Sequence, residues 1–256
     1  MTPRPPSAAR PGTKDVRGTR SIRPWLGIAA VVLVMIAAYG GWYLFFRPAG
    51  PAPVDLSALP PATLASGAAG GAGGSLDGTW KVDTSIGSGN TGSFVGYRVQ
   101  EQLASVGAAT AVGRTAGVSG SFTLTGTQVT AASITADLTG LTSDDPRRDG
   151  QLVNRGLETA TFPTAQFVLT APFDLGSLPA SGQIARISAP GNLTLHGQTK
   201  AVTVSLEARV TGGTLEVTGS LPIAFADYQI SPPTSMIALS VADNGIMELQ
   251  LMFTRG

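Results

Sequence analysis

The chain contains no cysteine and one histidine, His196. Without cysteine there is no disulfide framework, no thiolate nucleophile and no Cys-based metal site. One imidazole and scattered acids do not make a ligand cluster either, so a resident metal is not expected. Charged residues are 13% of the chain, about half the usual quarter. Thr, Ser, Gly, Ala and Val fill that gap, a composition of short strands and turns rather than of charged amphipathic helices. The charge that is present is divided unevenly. Residues 1–47 carry seven Lys/Arg against Asp15 alone, and residues 48–256 carry ten basic and fifteen acidic residues. A part that is net negative repels phosphates, which excludes nucleic acid as a partner.

Long apolar runs are confined to one place. WLGIAAVVLVMIAAYGGWYLFF, residues 25–46, has no charged residue. As a helix it would span roughly 33 Å, enough for a bilayer core. Trp25 marks one end and Trp42 and Tyr43 the other, as interfacial aromatics do. Six basic residues precede the run and Arg47 follows it, so the positive-inside rule places residues 1–24 in the cytoplasm and the rest outside. A cleaved signal peptide would have a shorter apolar core and small residues at its end; this run ends in bulky WYLFF. The expectation is a single-pass, uncleaved anchor at 25–46 behind a basic, disordered arm at 1–24. Residues 47–75 read as a linker, Pro-rich and stiff at first, then Gly/Ala/Ser-rich and flexible. Its glycine cluster is no phosphate loop, because no strand precedes it and no Lys-Ser/Thr follows.

From residue 76 to 256 the dominant signal has period two. VTVSLEARV (202–210) sets Val202, Val204, Leu206, Ala208 and Val210 against Thr203, Ser205, Glu207 and Arg209. MELQLMFTR (247–255) sets Met247, Leu249, Leu251 and Phe253 against Glu248, Gln250, Met252 and Thr254. One face of each is expected to be buried and the other wet, as in antiparallel sheet. Further strands are expected at 79–84, 93–103, 117–124, 128–138, 165–173, 183–195 and 214–224, separated by turn signals such as Thr211-Gly212-Gly213 and Asp243-Asn244-Gly245. Residues 146–158 are the only helix-like interval. Eight or more strands in one domain make a barrel or a sandwich. A barrel of about eight strands can hold one small ligand; the many small apolar residues would equally allow a filled interior that serves only as an interaction module.

Several motifs then stand in order: LDGTWKVD (76–83), SFVGYRVQEQL (93–103), GRTAGVSGSFTL (113–124), DPRRDGQL (145–152), TFPTAQFVLT (161–170) and GNLTLHGQTKAVTVSLEARV (191–210). Together they resemble the YceI-like family of lipocalin-like, isoprenoid-binding extracytoplasmic proteins. The resemblance implies an all-β fold, an extended antiparallel lipocalin-like β-barrel of about eight strands with a short helix or crossing segment. It also implies an isoprenoid lipid, a quinone or a polyprenyl lipid, held in the lumen. No reaction and no cofactor other than such a lipid follow from it. The chain departs from the family at one position: members often carry histidine where Glu101 stands, which implies a different head group if that position holds one, or a structural polar contact made by another residue.

The candidate ligand-binding residues follow from both lines. Tyr97 shares strand parity with Val95, Val99 and Leu103, whereas Phe94 has the opposite parity. Tyr97, Val99 and Glu101 are therefore placed inside. Arg147, Arg148 and Asp149 read either as a solvated loop neutralised by Asp144, Asp145 and Asp149, or as a polar gate at the barrel mouth. Arg148, Asp149 and Leu152 are taken as ligand-binding candidates from this stretch. Phe162 and Phe167 flank Pro163 and are expected in the core, with family-like spacing that puts them against ligand. Tyr228 precedes a Pro-Pro turn, as a rim or packing residue. Hydrolysis would have only His196 to use, and no Gly-x-Ser-x-Gly elbow is present; Gly117-Val118-Ser119-Gly120 is one residue short. His196 itself lies in a hairpin-like connection, with Gly197 free to take positive φ and Gln198 and Thr199 completing the turn.

Overall fold

The computed structural model describes residues 31–38, 50–59, 75–104, 107–233 and 238–256. The chain divides into two units, Met1–Arg47 and Pro48–Gly256. In the first, residues 31–38 form helix α1, with all eight side chains exposed. The rest of the expected span 25–46, like the basic arm, lies outside the described residues. Among the described residues, no helix is long and apolar enough to cross a membrane.

The second unit is built from strands. They are β1 (Gly78–Val82), β2 (Phe94–Leu103), β3 (Gly107–Thr115), β4 (Val118–Thr125), β5 (Gln128–Asp137), β6 (Thr142–Ser143), β7 (Thr164–Leu169), β8 (Phe173–Asp174), β9 (Ile184–Leu195), β10 (Gln198–Thr211), β11 (Thr214–Ala224), β12 (Ala238–Val241) and β13 (Asn244–Arg255). Eight of them close a ring of antiparallel pairs in the order β1-β4-β5-β7-β9-β10-β11-β13 and back to β1. Closure leaves this ring without open edges. β13 is long enough to serve two neighbours. Residues 253–255 pair with β1, while residues 246–250 pair with β2. β3 then pairs with β2, and β6 with β3, so that the sheet extends beyond the closed ring on this side.

The local chemistry explains the punctuation. Asp145 caps helix α2 (Pro146–Gln151), its side chain accepting the Arg147 N–H at 3.0 Å. Pro146 stands in the first turn, where its missing N–H costs nothing. The helix continues as a π-turn over Leu152–Gly156. At the β9–β10 hairpin, Leu195 pairs with Gln198, and the two residues between them both have positive φ, 49° at His196 and 71° at Gly197. That is the geometry of a two-residue type I′ turn, whose twist matches the strands. Gln198 and Thr199, expected in the turn, therefore begin β10.

The inward faces follow the period-two reading. Val204, Leu206 and Ala208 of β10 and Leu249, Leu251 and Phe253 of β13 line the interior. The outward faces do not. Glu248, Gln250 and Met252 of β13, Glu216 and Thr218 of β11, and Arg209 of β10 are all buried. They are covered by residues 50–59 and by the β1–β2 connection. Gln250 donates to the carbonyls of Asn90 and Gly92, each at 2.9 Å. Arg98 donates to the Pro51 carbonyl and Arg209 to that of Leu59, at 3.1 Å. Leu56 is wholly buried. Residues 50–59, within the segment read as a linker, thus lie as a strap on the barrel wall; residues 60–74 lie outside the described residues.

Beneath the strap lie ion pairs set by register. Glu248 stands opposite Gly96, which stands opposite Arg114. A side chain at Gly96 would collide with Arg114 Cγ at 2.8 Å; its absence lets Arg114 cross to Glu248 at 2.8 Å, while Arg98 Nε reaches the same carboxylate at 2.7 Å. Arg114 also lies over the Phe94 ring, 4.1 Å from its centroid, so Phe94 faces outward as its parity requires.

Candidate functional site

The barrel interior is not filled. One cavity of about 490 Å³ is lined by β-strand side chains including Trp80, Phe122, Phe167, Leu193, Val217 and Leu251, and by Phe173 and residues 174–179. A second, of about 420 Å³, lies under α2 and its π-turn, against Tyr97, Val99, Glu101, Leu152, Phe225 and Ile230. Val95, Ala165 and Met247 line both. Those three residues form a waist between the two spaces.

The first cavity is mainly apolar, with Gln166, Asp174, Ser177, Arg186 and Ser188 as the polar residues of its lining. Phe122 packs edge-on to Phe253 at 5.1 Å and stacks on Trp80 at 6.3 Å. The indole N–H of Trp80 is satisfied by the Leu76 carbonyl at 2.9 Å. Phe167 lies against the wall at Gly191, where a Cβ would sit 2.3 Å from the ring.

Polar groups gather at the far end of the second cavity. Arg148 of α2 reaches Glu101 of β2 at 2.5 Å with one terminal nitrogen, and Asp144 at 2.5 Å and Ser143 at 3.2 Å with the other. Burial alone would lower the affinity of this guanidinium for its proton; the Glu101 and Asp144 carboxylates more than offset it. Asp149 does not line the cavity. It accepts the Ser143 hydroxyl at 2.6 Å and the Ser143 N–H at 3.0 Å, and so braces the turn against which Arg148 rests.

Tyr97 lies deeper. Its ring rests on Gly113 of β3, where a Cβ would be 2.4 Å from the ring. Its hydroxyl is buried without a hydrogen-bond partner among the described residues. Burial pushes the phenol well above its ordinary range, with Arg148 opposing and Asp149, Glu101 and Asp144 adding to the rise. Two other buried hydroxyls lack partners among the described residues, those of Thr211 and Thr214, and neither residue lines a cavity.

Tyr97, Val99, Glu101, Arg148 and Leu152 thus come together in one cavity, and Phe167 lines the other. Phe162 and Tyr228 stand elsewhere. The Phe162 ring packs on the His196 imidazole at 4.4 Å, and Tyr228 is buried in the wall cluster with Leu193 and Ile223. His196 joins these parts. Its Nδ1 meets the Tyr228 carbonyl at 2.9 Å and its Nε2 meets Glu158 at 3.2 Å. Both ring nitrogens are engaged in holding the hairpin to the 3₁₀ turn Phe225–Tyr228 and to Glu158, two residues beyond the π-turn. The residues not anticipated are those of β3 and of the cap, Ala111, Phe225, Ile230 and Ala238.

The YceI-like domain profile matches residues 80–253, from within β1 to within β13. The chain belongs to the YceI-like domain family. A polyisoprenoid-binding domain from Saccharophagus degradans, implicated in plant cell wall breakdown, is 19% identical; the match covers 69% of this chain and 98% of that one, with a TM-score of 0.52. BcnA of Burkholderia cenocepacia is 22% identical over 62% of this chain and 95% of that one, at a TM-score of 0.48. The YceI protein of Campylobacter jejuni is 16% identical over 55% and 82%, at 0.41. No curated protein matches the chain. The YceI-like barrel here is thus a closed, eight-stranded antiparallel fold with a hollow apolar interior.

Proposed function

We propose that this protein is a membrane-anchored, extracytoplasmic module that binds or carries an isoprenoid-type lipid in its lumen. The observation that carries the reading is the pair of mainly apolar cavities inside the barrel unit, which share Val95, Ala165 and Met247 in their linings. Each methylene-sized unit of a prenyl chain moved out of water contributes about 0.8 kcal/mol. Half a dozen such units offset much of the freedom lost on binding. A mainly apolar space with a few polar groups in its lining suits an amphiphile with a long apolar chain and a small head. That polyisoprenoid binding is ascribed to the Saccharophagus domain, whose fold is similar, supports this choice of lipid. The anchor rests on the uncharged run 25–46 and its basic flank, and a module fixed to a bilayer stays near the source of its ligand.

Mass spectrometry of organic extracts from the purified full-length chain tests the reading. A prenyl lipid released in near-stoichiometric amount is expected. A chain that yields none, and takes up none when offered, would sink it. Membrane anchoring is tested separately by intact mass, since cleavage near residue 46 would remove the span.

A further inference from the structure

We infer that His196 is a proton-operated latch on the cap of the second cavity, closed while the imidazole and Glu158 share an extra proton and slack when pH rises. The inference rests on the lumen being the ligand site and adds control of access to it. Two segments make the cap. Arg148, Leu152 and Leu157 come from α2, its π-turn and the residue after it; Phe225, Ile230 and Pro233 come from the 3₁₀ turn and the chain beyond. The segments meet at Gly156, where a Cβ would lie 3.5 Å from the Pro233 ring. Neither is held by strand pairing. His196, in the β9–β10 turn, bonds to both, to Glu158 two residues beyond the π-turn and to Tyr228 at the end of the 3₁₀ turn.

Donor counting shows what the latch needs. A main-chain carbonyl can only accept, so Nδ1 donates to that of Tyr228 at 2.9 Å. A neutral imidazole has one N–H, which is then spent. Nε2 stands 3.2 Å from the Glu158 carboxylate. The two bond only if one more proton is present, on the ring or on the carboxyl group. Histidine is the side chain that gains and loses such a proton between about pH 5 and 8. The titratable and charged groups of the elements around the ring are Glu158, Arg155 of the π-turn, Asp227 and Tyr228 of the 3₁₀ turn, and Lys200 of β10. Among the described residues, only the Glu158 side chain bonds to it. The imidazole is buried and its face is covered by Phe162. The same corner holds strained backbone. Glu158, His196 and Gln229, the residue after Tyr228, have φ of 47°, 49° and 55°, and among the described residues they are the three non-glycines with positive φ. Left-handed backbone is costly outside glycine and is kept only where its surroundings hold it. When the Glu158 bond goes, that cost favours release of the first segment.

Hydrogen exchange of the full-length, lipid-free protein tests the latch. Between about pH 5.5 and 8, protection factors corrected for the intrinsic rate are expected to fall in residues 152–162 and 225–230, with β10 and β11 unchanged. The fall should be about three- to fivefold, because Glu158 is half exposed and its bond is worth less than a buried one. Glu158→Gln is the deciding variant. Its amide accepts from a protonated Nε2 and donates to a bare one, so its protection should be the same at both pH values. Release of bound geranylgeraniol from the wild type should quicken over the same range, and from Glu158→Gln it should not. Equal wild-type protection at the two pH values overturns the proposal. So does an equal fall in Glu158→Gln. Protection that falls while lipid release stays constant overturns the control of access and leaves the lumen reading standing. A wild-type protein that retains no geranylgeraniol overturns the lumen reading and the control of access together.

Discussion

Single residues in this barrel are judged by what stays buried when they change. Arg148 is the clearest case. Glu101 is buried beneath it, and the side chain of Arg148 is itself only 14% exposed. Arg148→Ala leaves a buried carboxylate without its counter-charge, which costs about 3–5 kcal/mol in well-enclosed pairs. Adding Glu101→Leu is expected to recover most of that loss. Urea midpoints of the single and double variants decide it; a double variant as unstable as Arg148→Ala alone would contradict the pairing. Tyr97 gives a pH signature. Its phenol is held above its ordinary value of 10.0 by burial, so the folded state keeps a proton that the unfolded state releases. Its contribution is fully present below about pH 10 and is lost as pH rises toward the folded value. Wild-type stability is therefore expected to fall more steeply between pH 10 and 11 than that of Tyr97→Phe. Tyr228 is also shifted upward by burial and remains in both proteins, so the difference between them isolates Tyr97. Parallel denaturation curves at the two pH values would show that the phenol is not buried in this way.

At the scale of elements, alternation was a sound guide where it existed and failed where it did not. The strand expected at 214–224 is β11, and that at 93–103 is β2 less one residue. β3 was not anticipated. Its sequence, GAATAVGRT, is small on both faces and has no apolar rhythm to read. Its smallness is a packing requirement: Gly113 must admit Tyr97, and Ala111 faces the cavity. The outer face of β13 misled in the opposite sense. Glu248 and Gln250 have the polarity of a wet surface but are sealed by the strap and the β1–β2 connection. The strap is invisible to composition because it is held through main-chain carbonyls, which every sequence possesses. Only Leu56 commits a side chain wholly to the wall. Leu56→Ala is expected to cost about 2 kcal/mol and to raise amide exchange across residues 50–59, with the inner strands unchanged. If those amides already exchange at the unprotected rate in the wild type, the strap is not docked in solution.

For the molecule as a whole, closure creates the lumen and the waist divides it. The candidate site was legible in part for the same reason. Tyr97, Val99 and Glu101 lie on the inner face by strand parity, and Arg148 and Leu152 lie on the crossing helix. The cap residues Phe225 and Ile230 come from a 3₁₀ turn and the chain after it, where no periodicity assigns a side. Phe162 and Tyr228 were drawn away by His196, whose two bonds lock a corner that lines neither cavity. The waist supplies the decisive test of a continuous lumen. Ala165 is buried and small, and it lines both cavities beside Val95 and Met247. A phenyl ring there should plug the passage, at an overpacking cost of about 1–3 kcal/mol. If one prenyl chain threads both spaces, Ala165→Phe is expected to lower affinity for a twenty-carbon prenyl alcohol by tenfold or more. Affinity for a ten-carbon one, short enough for the second cavity alone, should stay within about twofold. Binding isotherms for the two alcohols decide the point. Equal losses for both would mean that the ring has disturbed the fold or the head-group end. No loss for either would mean that the two cavities are not used as one.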